Sequence, residues 1–368
     1  MKKINVDYNN SLISVSNSLI KYYGNKIHHQ TLKLLDNELD KNYQHIVLML
    51  LDGLGTMIIE KNLDENSFIR KNITKKISSV FPPTTVAATT SLITGLSPIE
   101  HGWLGWHLYL SEKDPSLTLF TNLDYYQDTY YDKLKVNDII GHKTFYQQVP
   151  NLDYEEIYPS FRPDGYKTFN EALTALEKRL TKNNEENTFT YFYWDNPDYL
   201  MHIEGTNSEN VNELINSMNN ELENFYKKMN SNTLLIIVAD HGQIDIEPIN
   251  LYEYNDILNC FYKKPSAEAR ASMFYVKEEE KENFEKLFNQ YFSNDYMLYT
   301  KEEILKMNLY GKGIIHPSTK YSMGNYIAIS KTNKYFVSTP VTDLEFKGHH
   351  AGATIDELEI PLIILSKK

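Results

Sequence analysis

The sequence predicts an α/β fold: a doubly wound, mostly parallel sheet with helices on both faces and a small inserted α+β cap. Three observations predict it. Four runs, at 45–51 (HIVLMLL), 188–194 (TFTYFYW), 234–239 (LLIIVA) and 361–365 (PLIIL), are continuously apolar rather than alternating, the pattern of strands covered on both faces. Amphipathic helical patterns lie between these runs, and alternating strands and helices favour a doubly wound sheet. Finally, Asp52 and the pair Asp240-His241 each follow such a run, at the carboxyl ends of strands where α/β proteins assemble their sites.

The run at 45–51 opens into LLDGLG, with Asp52 at the turn. The next informative stretch is SSVFPPTTVAATTSLITGLSPIEHG. Proline has no N–H to donate and threonine is a good N-cap, so a helix is expected to start at or just after Thr84-Thr85 and to end at Gly95. A hydroxyl there faces free backbone N–H groups and the positive end of the helix dipole, a ready phosphate site. A threonine hydroxyl is a poor nucleophile unaided, and neither lysine nor histidine adjoins these threonines, so activation by a divalent metal is the economical expectation. Pro163-Asp164-Gly165 reads as a turn before the amphipathic helix FNEALTALEKRL. The run at 188–194 leads into WDNPDYLMHIEG, where Asp198 and His202 stand four apart. A long helix follows, with Val211, Leu214, Ile215, Met218, Leu222 and Phe225 forming one apolar stripe. Residues 252–341 carry shorter strand-helix-strand units between two histidine-bearing segments, so they are expected to form the cap, with 1–251 and 342–368 as the core. The charged run KEEEKENFEK within it reads as a solvated face. Gly348-His349-His350 precedes the last apolar run.

Composition limits the function. A formal net charge of −12 and the absence of any Lys/Arg-rich run exclude a nucleic-acid polymer as the expected partner. An anionic small molecule would then need local positive charge, which bound cations provide. The single cysteine, Cys260, allows neither an intrachain disulfide nor a thiolate metal cluster. No stretch reaches the roughly 18 apolar residues of a membrane span, and the first residues lack an unbroken apolar signal segment, so a cytoplasmic protein is expected. Asp52, Asp198, His202, Asp240, His241 and the histidine pair supply enough nitrogen and oxygen ligands for two metal ions.

The ordered series LLDGLG, FPPTTVAATTSLITGLSPIEHG, DNPDYLMHIEG, ADHG and GHHAG resembles the alkaline phosphatase superfamily, and more closely its type I phosphodiesterase/nucleotide pyrophosphatase branch. The resemblance implies one metal held by Asp52, Asp240 and His241 and a second held by Asp198, His202 and His350, with His349 outside the ligand set. It places the nucleophile on Thr85 rather than Thr84, with Thr85 also facing the metals and the helix amides near Val86 helping to bind phosphate. Zinc is the expected ion, and manganese and iron are the others that suit such a set. Where nucleotide pyrophosphatases carry a phosphate-contacting asparagine, this chain has Trp106. Trp103, Trp106, Tyr109 and Arg162 are candidate pocket residues, and His101 and His107 are expected to be structural or to line the pocket.

The implied activity is hydrolysis of a nucleotide-like or other organic phosphodiester through a covalent phospho-threonine. A monoesterase's guanidinium clamp is missing: Arg70, Arg162, Arg179 and Arg270 all lie outside the site motifs. The alternatives are a phosphomonoesterase or phosphonate C–P hydrolase of the same branch, and a phosphate-ligand-binding protein that turns nothing over. A sulfatase is excluded, because Cys260 lies far from the position of that class's modified cysteine.

Overall fold

The computed structural model describes residues 4, 6–181, 187–338 and 346–367. Its principal sheet has six strands in the order Ile73–Ser78, Glu359–Lys367, Thr233–Val238, His45–Leu51, Thr188–Trp194, Asp153–Ile157. His45–Leu51 is central, parallel to both neighbours and buried at every position. That explains its unbroken apolar sequence, because both faces meet helices. Glu209–Lys228 buries Val211, Ile215, Met218, Leu222 and Phe225 as the periodicity predicts, and FNEALTALEKRL lies in the helix Phe169–Thr181.

The last apolar run departs from its neighbours. Glu359–Lys367 is antiparallel to both Thr233–Val238 and Ile73–Ser78. The chain reaches it from the His350 segment, already at the carboxyl end of the parallel strands, so the strand runs back through the sheet.

A second sheet of eight strands is antiparallel throughout, in the order Tyr296–Thr300, Tyr326–Ser330, Ala271–Val276, Phe261–Ala267, His107–Tyr109, Ser116–Thr118, Leu123–Asp124, Thr129–Tyr130. Half of it comes from within the expected cap, 252–341. The other half comes from four strands of two or three residues between His107 and Tyr130, joined through the pairing of Ala267 with His107. In the helix Lys281–Phe292 the charged face is matched by buried Phe284, Phe288 and Phe292. Among the described residues no helix is long and apolar enough to cross a membrane.

The helix Thr85–Thr94 lies against the N-terminal helix Leu12–Tyr22. Gly95 ends it at φ +74°, and a side-chain carbon there would lie 2.3 Å from Ile20 Cδ1. Only glycine therefore fits both the backbone and the packing. Asn17 Nδ2 donates to the Gly95 carbonyl at 2.9 Å, fixing the far end of the helix that begins in the site.

Candidate active site

Three adjacent parallel strands deliver the acidic ligands to one level of the sheet. Leu51 pairs with Trp194, and Leu50 with Val238, so Asp52, Asp198 and Asp240 leave the sheet side by side. Hydrogen bonds join the three turns. Asp52 N donates to Trp194 O at 2.9 Å and Asp198 N to Asp52 O at 3.1 Å. Gly53 N donates to Asp240 Oδ1 at 3.0 Å. Gly53 has φ +72°, and a side-chain carbon there would come within 2.7 Å of Asp198 Cβ, so the close approach of these two turns needs glycine.

Two groups result, Asp52/Asp240/His241 and Asp198/His202/His350, each with its ligand atoms within 4.8 Å of one another. The second is a helical pair one turn apart on Asp198–Glu204, completed by His350. The chemistry of the donors fits a cation. His202 Nδ1–H donates to Gly348 O at 2.8 Å, His241 Nδ1–H to Gly242 O at 3.0 Å and His350 Nδ1–H to Pro83 O at 3.1 Å. Each carbonyl fixes the tautomer and leaves the Nε2 lone pair facing the carboxylates. His241 Nε2 lies 3.3 Å from Asp52 Oδ1 and 3.5 Å from Asp240 Oδ2. His202 Nε2 is 3.3 Å from Asp198 Oδ2, and His350 Nε2 is 3.9 Å from Asp198 Oδ1. Donors sharing a tetrahedral ion at about 2.0–2.2 Å would be separated by roughly 3.3–3.6 Å. Asp198 Oδ1 and Asp240 Oδ2 are buried without a hydrogen-bond partner, a state that is costly unless a cation meets them.

The electrostatics of the two groups are set by burial and by neighbouring charges. Burial and the neighbouring charges of Asp240 and Asp198 push the Asp52 carboxyl well above its usual range, and burial raises that of Asp240. Burial and the nearby His241 hold His350 well below the usual imidazole range, in the neutral form a ligand requires.

Thr84 caps the helix and Thr85 is its first residue, one position into the expected start. Thr85 Oγ1 lies 3.2 Å from His241 Nε2 and 3.4 Å from Asp52 Oδ1, so of the two threonines it is Thr85 that meets the Asp52/Asp240/His241 group. The Val86 side chain is fully buried; what it offers the site is its first-turn amide, which a helix leaves without an internal partner. His349 belongs to neither group. It accepts from His350 N at 2.8 Å and pairs with Ile244 in a short antiparallel bridge.

Trp106 is 40 % exposed and meets Phe120 edge-on at 5.9 Å. Trp103 is buried, and its indole N–H donates to Ile140 O at 2.6 Å, so it has no donor left for a substrate. Tyr109 is also buried, its hydroxyl donating to Lys264 O at 3.2 Å. Arg162 covers Tyr158 at 4.3 Å, and Tyr158 packs on Tyr193. Tyr193 in turn donates its hydroxyl to Asp52 Oδ2. Sequence reasoning missed Tyr193, which looks like one more aromatic in TFTYFYW. It also missed Glu268, a buried carboxyl under the influence of Thr84, the Trp106 amide and His202. His101 and His107 are buried and hydrogen-bonded to Ser91 and Ser116. None of the four arginines is a free phosphate clamp. Arg270 is bound to Glu357, Arg179 to Asp153 and Glu155, Arg70 to backbone carbonyls, and Arg162 covers Tyr158.

Comparison with known proteins gives the family and the fold. The model of the type I phosphodiesterase / nucleotide pyrophosphatase family matches residues 46–353. Murine ectonucleotide pyrophosphatase/phosphodiesterase 5 superposes with TM-score 0.65 at 18 % identity, covering 87 % of this chain and 88 % of its own. The human counterpart gives 0.63 at 16 % identity, with 87 % of each chain covered. Phosphonoacetate hydrolase from Sinorhizobium meliloti, in complex with phosphonoacetate, gives 0.62 at 13 % identity, covering 88 % of this chain and 90 % of its own. No curated protein matches by sequence.

Proposed function

The chain belongs to the type I phosphodiesterase / nucleotide pyrophosphatase family, and we propose that it is a two-metal phosphodiesterase acting on small organic phosphodiesters, with Thr85 as nucleophile. The observation that carries this reading is the position of Thr85 Oγ1. It stands at a helix N-terminus, within 3.4 Å of ligand atoms of one metal group, while the second group adjoins it through Asp198 and His350.

Asp52, Asp240 and His241 would hold one divalent cation and Asp198, His202 and His350 the other; zinc suits this donor set, and manganese and iron are the alternatives. When bound, such ions supply charge that favours ionisation of a nearby hydroxyl and neutralises phosphoryl oxygens. The chain's own groups do the rest. Thr85 Oγ attacks phosphorus in line, the ester oxygen departs, and the resulting phosphothreonine ester is cleaved by water. The Thr85 and Val86 amides, at the positive helix end, point to where negative charge gathers on the phosphoryl group. Tyr193 holds Asp52 in place. Trp106 and Phe120 provide an exposed aromatic edge for a base or other planar group.

Preference for diesters is supported by the arginines, each engaged elsewhere, since a dianionic monoester gains most from a guanidinium clamp. AMP is bound by an inactive threonine-to-alanine variant of the murine structural neighbour, which motivates a nucleotide substrate here. We take 252–341, together with the strands between His107 and Tyr130, as the cap that chooses the ester group. Turnover of bis-p-nitrophenyl phosphate, p-nitrophenyl thymidine monophosphate, p-nitrophenyl phosphate and phosphonoacetate by the zinc-loaded protein tests the proposal. Faster cleavage of the diesters is the expected result; a strong preference for the monoester or for phosphonoacetate would overturn it.

A further inference from the structure

Glu268 lies between the strands Phe261–Ala267 and Ala271–Val276 and is 5 % exposed. Its backbone is held from several sides. Ala267, just before it, has φ +76°. Gly105 comes so near that a side-chain carbon there would lie 2.8 Å from Ala267 Cα. The Ser272 hydroxyl donates to Glu268 O at 2.7 Å.

The carboxyl end is left open by contrast: Oε1 is buried without a hydrogen-bond partner. The groups that act on the carboxyl are the Thr84 hydroxyl, the Trp106 amide and the His202 imidazole, with Tyr125 and Tyr310 also nearby. None is a lysine or an arginine. These neighbours locate the carboxyl, because Thr84 adjoins the nucleophile, Trp106 forms the aromatic edge and His202 belongs to the second metal group. Burial pushes the carboxyl up to about 7, against the opposing pull of Thr84, the Trp106 amide and His202. A buried carboxyl oxygen without a partner, as Oε1 is, is costly unless something arriving from outside meets it.

We propose that Glu268 is a specificity-determining residue whose carboxyl accepts a hydrogen bond from a hydroxyl or ammonium group carried by the substrate's ester portion, close to the phosphorus. This rests on the phosphodiesterase reading above. A site built around an acceptor discriminates against an analogue that leaves the acceptor unpaired.

The test compares three p-nitrophenyl phosphodiesters, whose second ester group is ethyl, 2-hydroxyethyl or 2-aminoethyl, on zinc-loaded wild type, Glu268→Gln and Glu268→Ala. Wild type is expected to favour the hydroxyethyl and aminoethyl esters over ethyl by roughly tenfold or more in kcat/KM, with the difference mainly in KM. Glu268→Gln keeps an acceptor without the charge, so it retains preference for the hydroxyethyl ester and loses the additional preference for the aminoethyl ester. Glu268→Ala loses both preferences, so its kcat/KM ratios among the three esters approach one. If Glu268→Ala fails to fold, as judged by its melting transition, the Gln variant alone decides through the aminoethyl/ethyl ratio. Equal rates on all three esters in wild type, or unaltered ratios in the variants, overturn the proposal while leaving the phosphodiesterase reading intact. Cleavage of p-nitrophenyl phosphate with none of the diesters touched would overturn both.

Discussion

Removing the metal ions should lower the melting temperature by about 10 °C, a value that follows from the burial of the ligands. Asp52 is 2 % exposed, and Asp240 and His241 are fully buried. A cation bound to that arrangement therefore binds the folded chain and finds no comparable site in the unfolded one. At a free concentration about 1,000 times Kd, each such ion stabilises the fold by about 4 kcal/mol, so two contribute about 8. Unfolding entropy of about 2.1 cal/mol/K per residue gives about 0.8 kcal/mol/K over the 368 residues, and the quotient is roughly 10 °C. Scanning calorimetry of chelator-treated and zinc-loaded protein at pH 8 measures it. The variant Asp240→Asn supplies the control. It keeps the oxygen that accepts from Gly53 N and His241 N but removes a ligand charge, so the shift should fall by about half. It should also relieve the stripped protein, where Asp240 is one of the charges holding the Asp52 carboxyl up. The stripped variant should therefore melt no lower than stripped wild type. A shift under a degree in wild type, or an undiminished shift in Asp240→Asn, would refute the reasoning.

Other expectations follow from single contacts. Thr85→Ala should lose at least about a thousandfold in kcat, as loss of a nucleophile does, while metal content by elemental analysis and melting temperature stay near wild type. Thr85→Ser, which keeps the hydroxyl, should retain measurable turnover on the same p-nitrophenyl diester. Tyr193→Phe removes the hydroxyl donated to Asp52 and should weaken metal affinity by roughly 10- to 100-fold in a chelator competition. His107 is buried, stacked on Tyr125 at 3.5 Å, and burial lowers its imidazole to about 3. A lowered folded-state value means that stability is complete above the unfolded value of about 6.5 and is lost as pH falls below it. At pH 4.5 the loss from this residue is about 3 kcal/mol. His107→Gln should therefore flatten the acid limb of the melting temperature between pH 6.5 and 4.5, and an unchanged limb would contradict the assignment.

What the sequence made legible were features encoded over short distances. Burial on both faces selects apolar residues for Ile46–Leu51 and Leu234–Val238, so those strands, and the aspartates that follow them, stand out in the chain. Asp198 and His202 are one helical turn apart, and Thr85 follows a Pro-Pro step that helps set where its helix starts. Strand direction is not encoded this way. The apolar run at 361–365 looks the same whichever way the strand runs, and only the location of His350 at the carboxyl end of the sheet makes it antiparallel. The strands between His107 and Tyr130 are too short to show periodicity, so nothing in the sequence reveals that they join the second sheet.

The same distinction separates the ligands from the groups that tune them. A metal ligand must be one of a few residue types at a strand or helix end, and five segments in order reveal it. Tyr193 acquires its function from Asp52, 141 positions away, and Glu268 from Thr84, Trp106 and His202, contacts that exist only once the second sheet is seated beside the first. Because a hydroxyl or carboxyl in such a place needs no neighbouring motif, the residues that select a substrate are less visible in a single sequence than those that drive the chemistry. That asymmetry accounts for the outcome among the pocket residues. Trp103 and Tyr109, singled out as aromatic residues near a motif, turn out to have their polar groups engaged by backbone carbonyls. Glu268, in a stretch with no motif, carries the open acceptor.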